Sequence, residues 1–153
     1  MKPVLQALVL AERVYTDSRT NQKVICGTFN HIHLAPDEQR MFETSDGRQE
    51  LMIPGGADPG CCSAYVSLTE VFFGTELTLT LFNQTRHVPI LSTGVRINKE
   101  SRLDTIELIV PLPPLRKFLT EAGTYSLDVV WDGEILGSHR ILVSDARNLS
   151  EGE

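Results

Sequence analysis

The stretch ELTLTLFNQ, residues 76–84, places Leu77, Leu79 and Leu81 at every second position, with Thr78 and Thr80 between them. Successive side chains of an extended chain point to opposite faces, so this run has an apolar face and a hydroxyl face, as a half-buried antiparallel strand requires. A helix would scatter the same leucines around its circumference. The two-residue period recurs in PVLQALVLAERVY (3–15), KVICGTFNHIHL (23–34), SAYVSLTEVFF (63–73), HVPILSTGVRI (87–97), LDTIELIVPL (103–112), TYSLDVVW (124–131) and ILGSHRILV (135–143). Turn residues separate these runs. The spacing predicts an all-β fold, an antiparallel β-sandwich of about seven to nine strands. A short helical turn is expected within PPLRKFLTEAG, which has prolines at its start and Gly123 at its end.

The bulk numbers agree with one domain. A chain of 153 residues, 41% hydrophobic and 22% charged, can bury a core without disulfide staples. The domain is expected to span residues 1–144, with a polar tail at 145–153 and a long loop at 35–60, where the alternation lapses. A net charge of -6 and scattered lysines and arginines argue against nucleic acid as a partner. No stretch approaches the ~18 apolar residues of a membrane helix, so no membrane role is expected. The apolar start is broken by Gln6 and followed by Glu12 and Arg13, which reads as a strand rather than a leader. Three cysteines without framework spacing fit reduced thiols and a cytoplasmic location.

The last hairpin has a register problem. A strict two-residue turn at Asp132-Gly133 would oppose Leu127 to Ser138 and turn Ile141 and Val143 away from Tyr125, Leu127 and Val129. A three-residue loop with a glycine bulge, or an equivalent bulge nearby, opposes Trp131 to Ile135 and Leu127 to His139 and unites the apolar faces. The bulged register is the expectation.

The segment EAGTYSLDVVW, Glu121 to Trp131, resembles the tyrosine-corner region of immunoglobulin-like domains, in which an acidic-x-Gly-x-Tyr-x-Cys pattern leads into the sixth strand. The resemblance implies an immunoglobulin-like sandwich in which the Tyr125 hydroxyl bonds upstream backbone. Leu127 stands where that family has its second disulfide cysteine. Tyr125, Leu127, Trp131 and Cys62 are therefore expected to be structural. The blocks LQALVLAERVYTDSRTNQKVICGTFNHI, PGGADPGCC and GTYSLDVVWDGEILGSHRILV are also similar to those of an uncharacterised bacterial family of single-domain β-sandwiches, which implies no assigned activity.

Chemistry-bearing residues are sparse. Cys61 and Cys62 are adjacent, so on a strand they diverge: Cys62 joins Ala64, Val66 and Leu68, and Cys61 becomes the reactive thiol. His31 and His33 share one strand face and make a possible metal-ligand pair, short of the three protein ligands zinc needs. The aspartates occur singly, several beside Gly or Pro as turn formers, without the clustering calcium requires. No nucleophile elbow, P-loop, dinucleotide fingerprint or zinc-protease motif is present, which argues against an enzyme and implies no cofactor. Glu70, Glu76 and Glu107 suit a glycosidase carboxylate pair only if two of them face one cleft. Met41, Phe42, Leu51, Met52 and Ile53 stand interleaved with charges in the 35–60 loop, either as a flap over a strand edge or as a binding surface. The expected function is a non-catalytic interaction module, taking a protein partner through that loop or an exposed strand edge. The alternatives are a metal-binding protein or hydrolase at His31 and His33, and a structural homo-oligomer.

Overall fold

Every alternating run of the sequence becomes strand. A computed structural model describes residues 2–34, 40–43, 49–52, 62–100 and 103–145. In chain order the strands are β1 (Val4–Thr16), β2 (Lys23–Thr28), β3 (His31–Leu34), β4 (Arg40–Glu43), β5 (Gln49–Met52) and β6 (Cys62–Thr69). They continue with β7 (Thr75–Asn83), β8 (Val88–Ile97), β9 (Ile106–Leu112), β10 (Gly123–Trp131) and β11 (Glu134–Asp145). A 3-10 turn, Leu115–Lys117, occupies the proline-led segment before β10. No helix among the described residues is long and apolar enough to cross a membrane.

Two sheets form a β-sandwich, one ordered β2-β1-β6-β9 and the other β3-β11-β10-β7-β8. Their inner faces carry the period-2 leucines and valines. Leu10, Ala64, Val66 and Leu68 on one sheet face Leu77, Leu79, Leu81, Leu127, Val129 and Ile141 on the other, all buried in one cluster. Burying each such large side chain contributes ~1.5–3 kcal/mol. Cys62 belongs to this inner face.

Four sequence expectations change. The run 23–34 is not one strand: it breaks after Thr28, just past Gly27, whose φ of 70° is left-handed, and it serves both sheets. Its second half, β3, pairs parallel to β11, from His31 opposite Leu142 to Leu34 opposite Asp145, so that sheet is mixed and not purely antiparallel. Alternation fixes which face a residue takes and leaves strand direction open. Residues 35–60 contain the antiparallel ribbon β4–β5, with Met41 opposite Leu51. In the last hairpin Trp131 pairs with Glu134, not Ile135, around a two-residue Asp132-Gly133 turn with φ of 48° and 76°. Both positive angles suit a type I′ turn. The bulge lies further on, between Val129 opposite Gly137 and Val130 opposite Ile135, leaving Leu136 as the extra residue. It still delivers Leu127 opposite His139 and turns Ile141 and Val143 inward.

The start of β10 is tied to the β7–β8 turn. The buried Tyr125 hydroxyl donates to the Glu121 carbonyl at 2.9 Å, and the Glu121 carboxylate pairs with Arg86 Nε at 2.7 Å. Burial, reinforced by the Glu121 charge, pushes the phenol pKa above its usual 10.0. Replacing Tyr125 by Phe strands the Glu121 carbonyl and should cost ~1–2 kcal/mol in urea unfolding. Because the folded state favours the neutral phenol, this contribution is complete below pH 10 and fades as pH rises through the raised folded value. Tyr65, raised by burial and then by its hydrogen bond to Glu107, behaves alike. A Tyr65→Phe/Tyr125→Phe variant should therefore lose less stability above pH 10 than the parent, measured by urea midpoints across alkaline pH.

Candidate functional site

Among the described residues, those singled out in the sequence do not converge. His31 and His33 project from the outer side of the edge strand β3, their ring centroids 4.1 Å apart and tilted by 35°, with His31 Nε2 2.5 Å from Ser144 Oγ. Among the described residues no group of three or more His, Cys, Asp or Glu could hold a metal. His139 is elsewhere, its Nε2 3.0 Å from the Phe29 carbonyl. The carboxylates also separate. Glu107 accepts from Tyr65 on the outer face of the four-stranded sheet, while Glu76 belongs to the five-stranded one. In the ribbon, Met41 pairs with Leu51, Phe42 with Glu50 and Arg40 with Met52, and among the described residues the ribbon pairs with neither sheet. Ile53 and Cys61 lie outside the described residues.

One end of the sandwich gathers what the sequence reading missed. It is formed by the start of β1, the β6–β7 and β8–β9 connections and the β10–β11 turn. Among the described residues Phe73 (66%), Leu103 (86%) and Ile135 (57%) are the most exposed large hydrophobics, and all three lie here with Phe72 and Val4. Phe72 and Phe73 read as the tail of a strand in SAYVSLTEVFF, but β6 stops at Thr69. Glu70 takes a left-handed φ of 58°, Val71 drops into the core, and the two phenylalanines ride over the turn. That turn is fastened by backbone bonds from Gly74 to the Ile97 carbonyl at 2.9 Å and from Thr75 to the Phe72 carbonyl at 3.0 Å. The Thr75 hydroxyl donates to the same Phe72 carbonyl at 2.6 Å. The available signal was the glycine following the aromatic pair, which marks a turn.

Beside this turn the sheet opens. The β7–β10 ladder ends with Thr78 opposite Val130; beyond it β7 pairs only with β8, and Trp131 only with Glu134 of β11. The diverging strands leave a groove of about 450 Å³, lined by Gly74, Thr75, Glu76, Thr78, Trp131 and Asp132 among others. Trp131 is half-buried and packs against the core, and the residue also borders the groove. Arg96 stands on the rim, its Nη2 3.6 Å from the place a β-carbon on Gly74 would take. The charge at this end is acidic among the described residues: Glu70, Glu76, Glu100, Asp104, Asp132 and Glu134 against Lys2, Arg96 and Lys99. Lys2 is already held by Glu134.

The geometry offers recognition more readily than catalysis. Exposed aromatic tips on a fixed turn supply contact area at low entropic cost, and the groove supplies polar groups that fix orientation. Elsewhere on the five-stranded sheet the outer polar groups satisfy one another, as in Ser138 to Asp128 at 2.6 Å and Gln84 to Ser126 at 2.8 Å.

The thiols give a direct check on strand placement. Cys26 is exposed on β2 and Cys62 is buried. Iodoacetamide should modify Cys26 in the native protein at least ~10-fold faster than Cys62, as followed by peptide mass mapping. Comparable rates would show that the start of β6 opens readily. Comparison with known proteins supplies no relative: no protein-family model matches the chain, and no curated protein matches it.

Proposed function

We propose that the chain is a non-catalytic, immunoglobulin-like interaction module that takes a protein partner through the loop end carrying Phe72, Phe73, Leu103 and Ile135. The observation that carries this reading is the gathering at one end of the three large hydrophobics most exposed among the described residues, with two aromatics on a hydrogen-bonded turn. Isolated exposed apolar residues need no explanation, whereas several at one end, rimmed by charge, mark an association surface. The immunoglobulin-like part of the reading is supported by two features. Strand order β1-β6-β9 on one sheet and β8-β7-β10-β11 on the other parallels A-B-E and C′-C-F-G, and Tyr125 at the start of β10 bonds the backbone four residues upstream. In such domains the loops after the second and sixth strands lie at the end used for binding, which here are the Phe72-Phe73 turn and the Asp132-Gly133 turn. An exposed Cys26 and a buried Cys62 fit a reducing, cytoplasmic setting.

A Phe72→Ser/Phe73→Ser variant removes contact area without touching the core. It should keep the parent's urea midpoint within ~0.5 kcal/mol and lose the partner in affinity purification from the native cell. A deletion of residues 38–52 should leave capture intact. If that deletion abolishes capture and the phenylalanine variant does not, the binding surface belongs to the ribbon and the loop-end reading is wrong.

A further inference from the structure

The strand β3 is the shortest of the five-stranded sheet and is held along one side only: among the described residues it pairs with β11 and with no other strand. Its inner side chains Ile32 and Leu34 are buried in the core, while His31 is exposed and His33 half-buried on the outer face. The two rings touch, with centroids 4.1 Å apart and planes tilted by 35°. Two imidazoles in such contact pack well while at least one is neutral. Two imidazoliums do not, because like charges ~4 Å apart repel and each has given up hydration that a separated ring keeps.

The surroundings do not neutralise a second charge. On the outer face of β11 the residues beside the rings are Arg140, Leu142 and Ser144, with Leu142 opposite His31 and Ser144 opposite His33. Ser144 Oγ, 2.5 Å from His31 Nε2, can donate to a neutral ring or accept from a charged one, so it serves either state. Behind β11, the outer residues of β10 at this level are Thr124 and Ser126, and the next, Asp128, is committed to Ser138. On the inner side His139 Nε2 lies 3.0 Å from the Phe29 carbonyl, a contact that an imidazolium makes as well as a neutral ring does. Glu12 lies beside Gly27, ahead of β3, and Asp145 lies opposite Leu34, on the face away from the rings. Among the described residues no carboxylate occupies the cross-strand positions next to His31 and His33.

We propose that His31 and His33 act as a pH-sensitive latch on β3: with at most one ring charged the strand stays docked, and with both charged it loosens from β11. Release lets the rings separate, so the released strand takes up the second proton more readily than the docked one. Docking therefore weakens as pH falls through the ordinary imidazole range, around ~6.5. The buried Ile32 and Leu34 oppose full detachment, which makes the response a local opening and not unfolding. What it uncovers is the edge of β11, a row of backbone groups able to pair with another chain. The latch uses none of the loop-end residues.

The Leu142 N–H donates to the Asn30 carbonyl at 2.8 Å, immediately ahead of β3, so its hydrogen exchange reports on docking. Leu79, in the middle of the doubly paired β7, is the reference for the rest of the sheet. Exchange is followed by NMR, and protection is corrected for the intrinsic pH dependence of amide exchange. Between about pH 7.5 and about pH 5.5, Leu142 protection in the parent should fall at least about fivefold relative to Leu79. The fall should vanish in His31→Gln and in His33→Gln, each of which leaves one titrating ring. His33→Glu should reverse it, because a carboxylate attracts the imidazolium of His31. Unchanged Leu79 protection shows that each variant is folded. No selective fall in the parent overturns the proposal. So does a fall that persists in either glutamine variant, which assigns it to a single ring, to His139 or to a carboxylate, and so does a fall of parent size in His33→Glu.

Discussion

The fold hangs on β10, a central strand buried on both faces from Tyr125 to Val129. Its inner side chains Tyr125, Leu127 and Val129 meet the opposite sheet. Its outer side chains Ser126 and Asp128 are equally buried and have to find polar partners. Asp128 accepts from Ser138 and Ser126 from Gln84, so the desolvation cost of placing them there is offset by neighbours in the same sheet. A strand constrained on two faces and along two edges cannot slip by one residue. Everything bonded to it, β7 and β11 directly and β3 and β8 through them, inherits that register.

That rigidity reaches the loop end in two ways. The bulge at Leu136 lets a tight type I′ turn coexist with the core register: residues beyond it turn Ile141 and Val143 inward, while Ile135 before it stands outside. Leu5 then packs against Gly137, where a β-carbon would come within 2.4 Å of its Cδ2, and Lys2 reaches Glu134 at 2.5 Å. The first residues of β1 are thereby held to the base of the hairpin. On the other side of the groove, the bonds of Gly74 and Thr75 hold the Phe72-Phe73 turn to the end of β8. A site between two such anchored turns keeps its geometry without a ligand, which is the condition for recognition at low ordering cost.

The sequence made the strands legible and left their partners obscure. Period-2 runs located the strands of the two sheets, with β2 and β3 merged in one run, because burial on one face leaves a local trace. The parallel pairing of β3 leaves none: HIHL reads the same whichever strand lies beside it, and only the neighbouring chain sets its direction. The exposed aromatic end was illegible for a related reason. Phe72 and Phe73 extend an apolar run, and an apolar run looks like core until a left-handed Glu70 and the bonds of Gly74 turn it outward. His31 and His33 show a further limit of spacing, which puts two imidazoles on one face and names no third ligand.

The groove follows from sheet twist and strand length rather than from any motif. Neighbouring strands in a sheet are rotated relative to each other, so a ladder whose strands run past their last bonded pair tends to splay at the end. Here β7 begins at Thr75 and β10 ends at Trp131, while their bonded register spans only Thr78–Asn83 and Tyr125–Val130. The unbonded remainder of each strand is kept extended by its other neighbour, β8 for β7 and β11 for β10. The ends of the two strands thus border a groove within one sheet, and beside Gly133 nothing stands within 4 Å of where a β-carbon would lie. Changing the chemistry of such a gap needs only the side chains that line it, Glu76 and Asp132 foremost, because the strands that frame it are fixed by the core.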